Sequence, residues 1–136
     1  MEVKLLSYTF DNMEIKNEDL EKEFDEYAEN NNLNVKIKFD VIKYEKPTDS
    51  YSYFKTLVES LLKKSTSPYD VYYYDSTYLN IYGPYLLNLS DYLPKEHIDM
   101  YKIVKEACTY GENEVVGLVI KNFLNIFDYI NYTKRK

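Results

Sequence analysis

Seven residues of types that can grip a polar solute stand at or just after the ends of short apolar runs: Tyr8, Phe10, Asp11, Asp75, Ser76, Tyr78 and Lys121. Carboxylates such as Asp11 and Asp75, with backbone amides at helix starts, can hydrogen-bond hydroxyl groups. Tyr8, Phe10 and Tyr78 can stack on a sugar face, since an aromatic ring offers an apolar body with a polar edge. The bland role of the same residues stands beside this one. Asp after a strand commonly caps a helix or forms a turn, and both readings stay open at this point.

Catalytic machinery is not visible. His97 follows Lys95 and Glu96 with no Cys or acidic partner at a metal-ligand spacing, so an exposed or capping role is expected. There is no G-x-S-x-G, P-loop or G-x-G-x-x-G pattern, and 3 glycines are too few for a phosphate cradle. Neither a catalytic residue, a metal site nor a cofactor is expected. Cys108 has no partner for an internal disulfide and reads as a small apolar residue on a helix.

The elements that would position the seven residues follow from periodicity. Val3 to Thr9 reads as a first strand. Asn17 caps a helix with an apolar stripe of Leu20, Phe24, Tyr27 and Ala28, ended by Asn30, Asn31 and Asn32. Val35 to Ile42 alternates with period two, as an edge strand should. After Pro47, Asp49 or Ser50 caps a second helix through Tyr53, Phe54, Leu57, Val58, Leu61 and Leu62.

Asp70 to Asp75, apolar or aromatic throughout, reads as a central third strand, and short helical turns follow to Pro94. A third main helix is expected over His97 to Tyr110 with Gly111 as its C-cap. Val115 to Ile120 is a fourth strand and Leu124 to Ile130 a fifth, antiparallel to it because the turn at Lys121 to Phe123 is short. The β-α-β-α-β order predicts an α/β fold: three layers, a mostly parallel sheet with helices on both faces, and an antiparallel last strand. Ligands of such sheets bind beyond the C-terminal ends of the strands, where Tyr8 to Met13, Asp75 to Tyr78 and Lys121 to Phe123 would converge.

Composition bounds the partners. At 136 residues the chain reads as a single α/β domain over 1–136 that can bury a real core. A net charge of -6 argues against nonspecific binding to nucleic acid or an anionic membrane. No run of about 18 apolar residues is present, and the charged N-terminus lacks the apolar core of a signal peptide. The 17 tyrosines allow two readings, an A/T-rich genome's codon bias or a ligand-facing aromatic surface.

The segment Pro68 to Leu93, PYDVYYYDSTYLNIYGPYLLNLSDYL, preceded by the Leu-rich LVESLLKKSTS and followed later by VVGL and FDYINYTKRK, resembles the extracellular solute-binding family of sugar transporters. There a Leu- and Ser-rich helix leads into "PYDV", a strand ending in Asp, and "LLDLSDYL". Asn88 stands where the family usually has an Asp that opens the cap. Val119 and Ile120 replace a usual Leu-Pro. The resemblance covers nearly the whole chain and implies the N-terminal lobe portion of a periplasmic binding protein-like type II fold.

The resemblance implies an extracellular or periplasmic, non-catalytic domain that binds a carbohydrate or other small solute. It implies contact with a membrane only through a receptor or transporter part outside this chain. Lacking a second lobe, it would bind weakly, in the millimolar range or not at all. A sheet edge left unpaired, or exchange of the last strand, would favour a homodimer, so an interaction module built on the half-fold is the alternative. A phosphoacceptor domain using Asp75 and Lys121 is a further alternative, but its acidic pair, Asp11 with Glu14, is poorly spaced for Mg²⁺. Asn88 and Asn131 open N-x-S/T triplets and are glycosylation candidates.

Overall fold

The computed structural model describes residues 1–10, 17–45, 47–64, 66–100, 106–121 and 127–132. Its frame is a five-stranded sheet. The strands are β1 (Glu2–Phe10), β2 (Lys36–Tyr44), β3 (Val71–Tyr74), β6 (Leu118–Lys121) and β7 (Phe127–Tyr132), in the spatial order β2-β1-β3-β7-β6. A separate hairpin pairs β4 (Thr109–Tyr110) with β5 (Glu114–Val115). The helices are α1 (Asn17–Asn30), α2 (Pro47–Lys63) and the short α3 (Leu79–Tyr82) and α4 (Lys95–Asp99), with single 3-10 turns between them.

β1 pairs in parallel with β2 along its whole length, Glu2 against Lys36 through Phe10 against Tyr44, and with β3 through Leu5 against Val71 and Leu6 against Tyr72. A strand held on both sides by parallel neighbours must be apolar on both faces, and both Leu5 and Leu6 are buried. β7 is antiparallel to β3 and to β6. β6 therefore runs with β1, β2 and β3, and β7 is the reversed strand. The α/β class and the antiparallel last strand stand as the sequence predicts. β2, with its alternating exposure, is an edge, and β3 is the middle strand.

β1 connects to β2 on one side, and β2 then connects past β1 to β3 on the other. Two right-handed crossovers running in opposite directions place α1 and α2 on opposite faces. The main core lies on the α2 face. Phe54, Val58, Leu61 and Leu62 of α2 pack with Leu6, Tyr72 and Tyr74 of the sheet, and with Tyr82, Leu86 and Val116 from the later segments. Each such apolar side chain contributes about 1.5–3 kcal/mol by leaving water. Leu5 and Val71, on the alternate pleat, lie outside that cluster.

α1 begins at Asn17 and closes as its Asn-rich end predicts. Asn32 takes a positive φ of 54°, and the Leu33 and Asn32 amides donate to the Ala28 and Glu29 carbonyls at 2.8 and 3.1 Å. That is a Schellman closure with Asn in the left-handed position. α2 begins at Pro47 itself, where a missing N–H costs nothing, rather than at a cap on Asp49 or Ser50.

Two expectations are corrected in the later third of the chain. The helix expected over His97 to Tyr110 ends at Asp99. Residues 101–105 lie outside the described ones, and Glu106–Cys108 is one 3-10 turn that leads directly into the β4–β5 hairpin. Gly111 is no helix cap; its φ of 61° serves the hairpin turn. The strand expected over Val115 to Ile120 is two strands, β5 and β6, parted at Val116 and Gly117. There the Val116 amide bonds back to the Cys108 carbonyl at 2.9 Å, and Asn88 holds the Val115 amide at 3.2 Å. Local periodicity carries no trace of these partners.

Gly83 makes a close approach possible. A Cβ there would collide with Cγ and Cδ2 of Tyr110, whose ring lies on the glycine. Edge strand β2 is guarded by α1: Glu21 accepts the Phe39 amide and the Lys38 ammonium, each at 2.8 Å. An edge N–H held by a carboxylate is closed to strand addition. These bonds, Lys38 first and Phe39 second, hold the Glu21 carboxyl below its usual range.

Three outcomes are expected from these contacts. Asn32→Gly should raise stability by up to about 1 kcal/mol and Asn32→Ala lower it by about as much, read by urea titration; the reverse order would refute the closure. Gly83→Ala should cost about 1–3 kcal/mol, and a double-mutant cycle with Tyr110→Ala should recover part of it. Additive losses would show that the two do not touch. Because folded Glu21 titrates below its unfolded value, its stabilisation is full above the ordinary carboxylate range and lost as pH falls through the lowered value. Melting curves of the wild type and Glu21→Gln should therefore converge in acid, and a constant gap at all pH values would count against it.

Candidate functional site

β1, β3 and β6 end on one edge of the sheet, so Phe10, Asp75 and Lys121 close one end of it. The chain leaves β1 and β3 in opposite directions there, the topological position at which ligands of α/β sheets commonly bind. Asp75, in an extended conformation (φ -76°, ψ 136°), stops β3 and starts the 3-10 turn Ser76–Tyr78. Its carboxylate accepts the Thr77 amide at 2.8 Å, and its carbonyl accepts the Tyr78 amide at 3.0 Å. The capping role is thus realised, and it starts the turn directly after β3.

Aromatic rings fill this end. Tyr8 lies 4.6 Å from Phe54 of α2, 5.9 Å from Tyr73 and 6.4 Å from Tyr44, centroid to centroid. Tyr44 in turn stands 6.2 Å from Tyr53, which is 61% exposed. On the β3 side Tyr78 is 5.8 Å from Tyr82, and Tyr82 is 5.0 Å from Tyr74 in an edge-on contact. The Lys55 ammonium sits 5.9 Å above the Tyr78 ring, within cation-π range. The Tyr82 hydroxyl is anchored on the Lys55 carbonyl at 3.2 Å, and burial pushes its pKa up.

The result is a band of rings that is buried at Tyr74 and Tyr82, half-buried at Tyr8, Tyr44 and Tyr78, and open at Tyr53. Edge-to-face contacts join Tyr8, Tyr44 and Tyr53 on the β1 side and Tyr74 with Tyr82 on the β3 side, which restrains the rings within each group. The Tyr44 hydroxyl is buried without a hydrogen-bond partner among the described residues, and burial raises its pKa. An unsatisfied hydroxyl of this kind costs about 1–3 kcal/mol and is relieved by any polar group brought to it.

Of the seven candidate residues, Tyr8, Asp75, Ser76 and Tyr78 are described with their side chains at this end of the fold. Tyr8 and Tyr78 each pack one side against the core, and Ser76 is half-buried in the first turn. Phe10 and Lys121 are placed by their backbones, opposite Tyr44 and Phe127 respectively. Asp11, and with it Glu14, lies outside the described residues. Sequence reasoning missed Tyr44, Tyr53 and Lys55. Tyr44 lies on the phase of Lys36, Lys38 and Asp40, which turns inward only from Ile42 on, so the period-two pattern of β2 hid it. Tyr53 lies at the margin of the α2 stripe, about a quarter turn from Phe54, which is why it is exposed.

Other groups have structural roles. Asn88 caps the Leu89–Asp91 turn through Ser90, donates to Asp91 at 3.3 Å and binds the Val115 amide, so its amide is built into the fold. Asn131 lies in β7 opposite Tyr72. Cys108 is buried, and burial pushes its thiol up to about 12, far from a thiolate nucleophile. His97 is exposed on α4. A shallow depression lined by Glu2, Lys4, Lys38, Phe39, Asp40 and Tyr69 lies at the opposite end of the strands. There the Tyr69 hydroxyl donates to Asp40, and burial with that bond raises its pKa to about 12.

Comparison with known proteins gives a likeness of fold. No family model matches the chain, and no curated protein matches it. Among solved structures, a crystal structure described as that of an extracellular solute-binding protein family 1 superposes with a TM-score of 0.54 at 15% sequence identity. The match covers 86% of this chain and 28% of that one, so this chain spans a little over a quarter of the length of the protein it matches. What the two share is the α/β fold described above.

Proposed function

We propose that this chain is a non-catalytic domain that holds a small solute of the carbohydrate class against the aromatic band at the C-terminal end of β1 and β3. One observation carries the reading. Tyr53, Tyr44 and Tyr8 form one chain of ring contacts and Tyr78 with Tyr82 another, both packed on the same core and beside the capped Asp75 turn and Lys55, at the end of an α/β sheet where ligands of such sheets bind. Aromatic faces take up the apolar C–H side of a sugar ring, while hydroxyl and carboxylate edges take its hydroxyl groups. The fold likeness to a solute-binding protein supports the same reading.

Extracellular or periplasmic placement belongs to this proposal, by the same likeness. No helix among the described residues is long and apolar enough to cross a membrane. A wall that touches its solute on one side leaves most of the ligand in water, so the expected affinity is about millimolar. With no tryptophan in the chain, emission comes from its 17 tyrosines together, so the two substitutions below are what assign a response to the band. Titration with a panel of mono- and oligosaccharides should give one saturable response, weakened several-fold by Tyr53→Ala and by Tyr78→Ala with folding intact. A flat response to every saccharide, or one that both variants leave unchanged, overturns the reading.

A further inference from the structure

Three parallel rows run along α1, each displaced from the next by one residue, a rotation of about 100°. Glu21, Asp25 and Ala28 form the row against the sheet: Glu21 bonds the β2 edge, Ala28 is buried, and one Asp25 carboxylate oxygen is buried. The second row is Leu20, Phe24 and Tyr27. Leu20 is 41% exposed and Tyr27 58%, and Leu33 beyond the helix end is 45% exposed. The third row is Asp19, Glu23 and Glu26, all exposed, and none of them is in an ion pair among the described residues.

An apolar row thus lies open between the sheet and a rank of carboxylates. α1 carries seven carboxylates against one lysine, a net charge of -6, the same as the whole chain. We propose that this face of α1 is a docking surface for a cationic amphipathic helix of another protein. The partner's apolar residues would cover Leu20, Phe24 and Tyr27, while lysines or arginines along one flank would meet Asp19, Glu23 and Glu26.

Charge selects this occupant over the others. A second copy would bring another net -6 helix against the first, and like charges in contact are repelled. Nucleic acid and anionic lipid are repelled for the same reason. A helix with a matching apolar stripe and a basic flank gains on both counts, the mode by which amphipathic helices fill apolar surfaces rimmed by opposite charge. Leu20 to Tyr27 spans about 10 Å, so two to three turns of partner suffice.

The test uses the full chain and a dye-labelled synthetic peptide of about 18 residues, with leucines on one helical face and lysines beside them. A scrambled peptide of the same composition, which has no apolar face, is the control. Anisotropy should show binding that falls as salt rises and that is at least about tenfold tighter for the amphipathic peptide. Leu20→Ser with Tyr27→Ser should weaken it about tenfold, and so should Glu23→Lys with Glu26→Lys, circular dichroism confirming the fold. Equal binding of both peptides would mean charge adsorption alone and overturn the proposal. So would variants that bind like the wild type, or light scattering that shows a dimer of the wild type which Leu20→Ser with Tyr27→Ser turns into a monomer.

Discussion

Everything at the C-terminal end of the strands depends on the parallel pairing of β1 with a neighbour on each side. Parallel strands cannot be joined by a tight turn, so each connection must cross a face of the sheet, and it does so with one handedness. Placing β2 and β3 on opposite sides of β1 then forces the two connecting helices onto opposite faces. The chain parts between the ends of β1 and β3 as a by-product, and Tyr8 and Tyr78 pack on the core on either side of that point. Leu5 and Leu6, adjacent and both buried, are the local sign that β1 has apolar surroundings above and below.

The two faces are built differently. On one, α2 supplies Phe54, Val58, Leu61 and Leu62 to a dense cluster that also takes in Tyr72, Tyr74 and Tyr82. On the other, α1 turns carboxylates toward the edge of the sheet and uses only part of its apolar stripe. Glu21 shows why: holding the Phe39 amide and the Lys38 ammonium fixes the rotation of the helix, and that rotation leaves Leu20 and Tyr27 in water. A polar contact at the edge strand has set the exposure of the apolar row beside it.

Much of the frame was legible in the sequence because it is written in local periods. The alternation of VKIKFDVI marked an edge strand, the aromatic run of β3 marked a central one, and the Asn cluster closed α1 where it stands. The region from His97 to Val116 was not. Helical spacing from Ile98 to Ala107 says nothing of a hairpin at Thr109 to Val115, while the contacts that seat that hairpin, Tyr110 on Gly83 and Asn88 on Val115, join residues about 27 apart. The candidate site divides in the same way. Asp75 and Tyr78 follow the end of β3 and Tyr8 lies near the end of β1, so they could be named from order alone, whereas Tyr44 and Tyr53 join the band only because α2 folds back over the end of β2.

The position of β7 has a consequence for how the chain acquires its shape. β6 has β7 as its partner in the sheet, and β7 lies between it and β3, so β6 has nothing to pair with until the strand after it arrives. The three strands β2, β1 and β3 can assemble with α2 from the earlier part of the chain. The open side of β3 then waits for an antiparallel β6–β7 pair to dock as a unit. During synthesis the middle strand of the finished sheet is for a time an exposed edge, and the aromatic residues Tyr72 to Tyr74 on it are the segment that a chaperone would have most reason to hold.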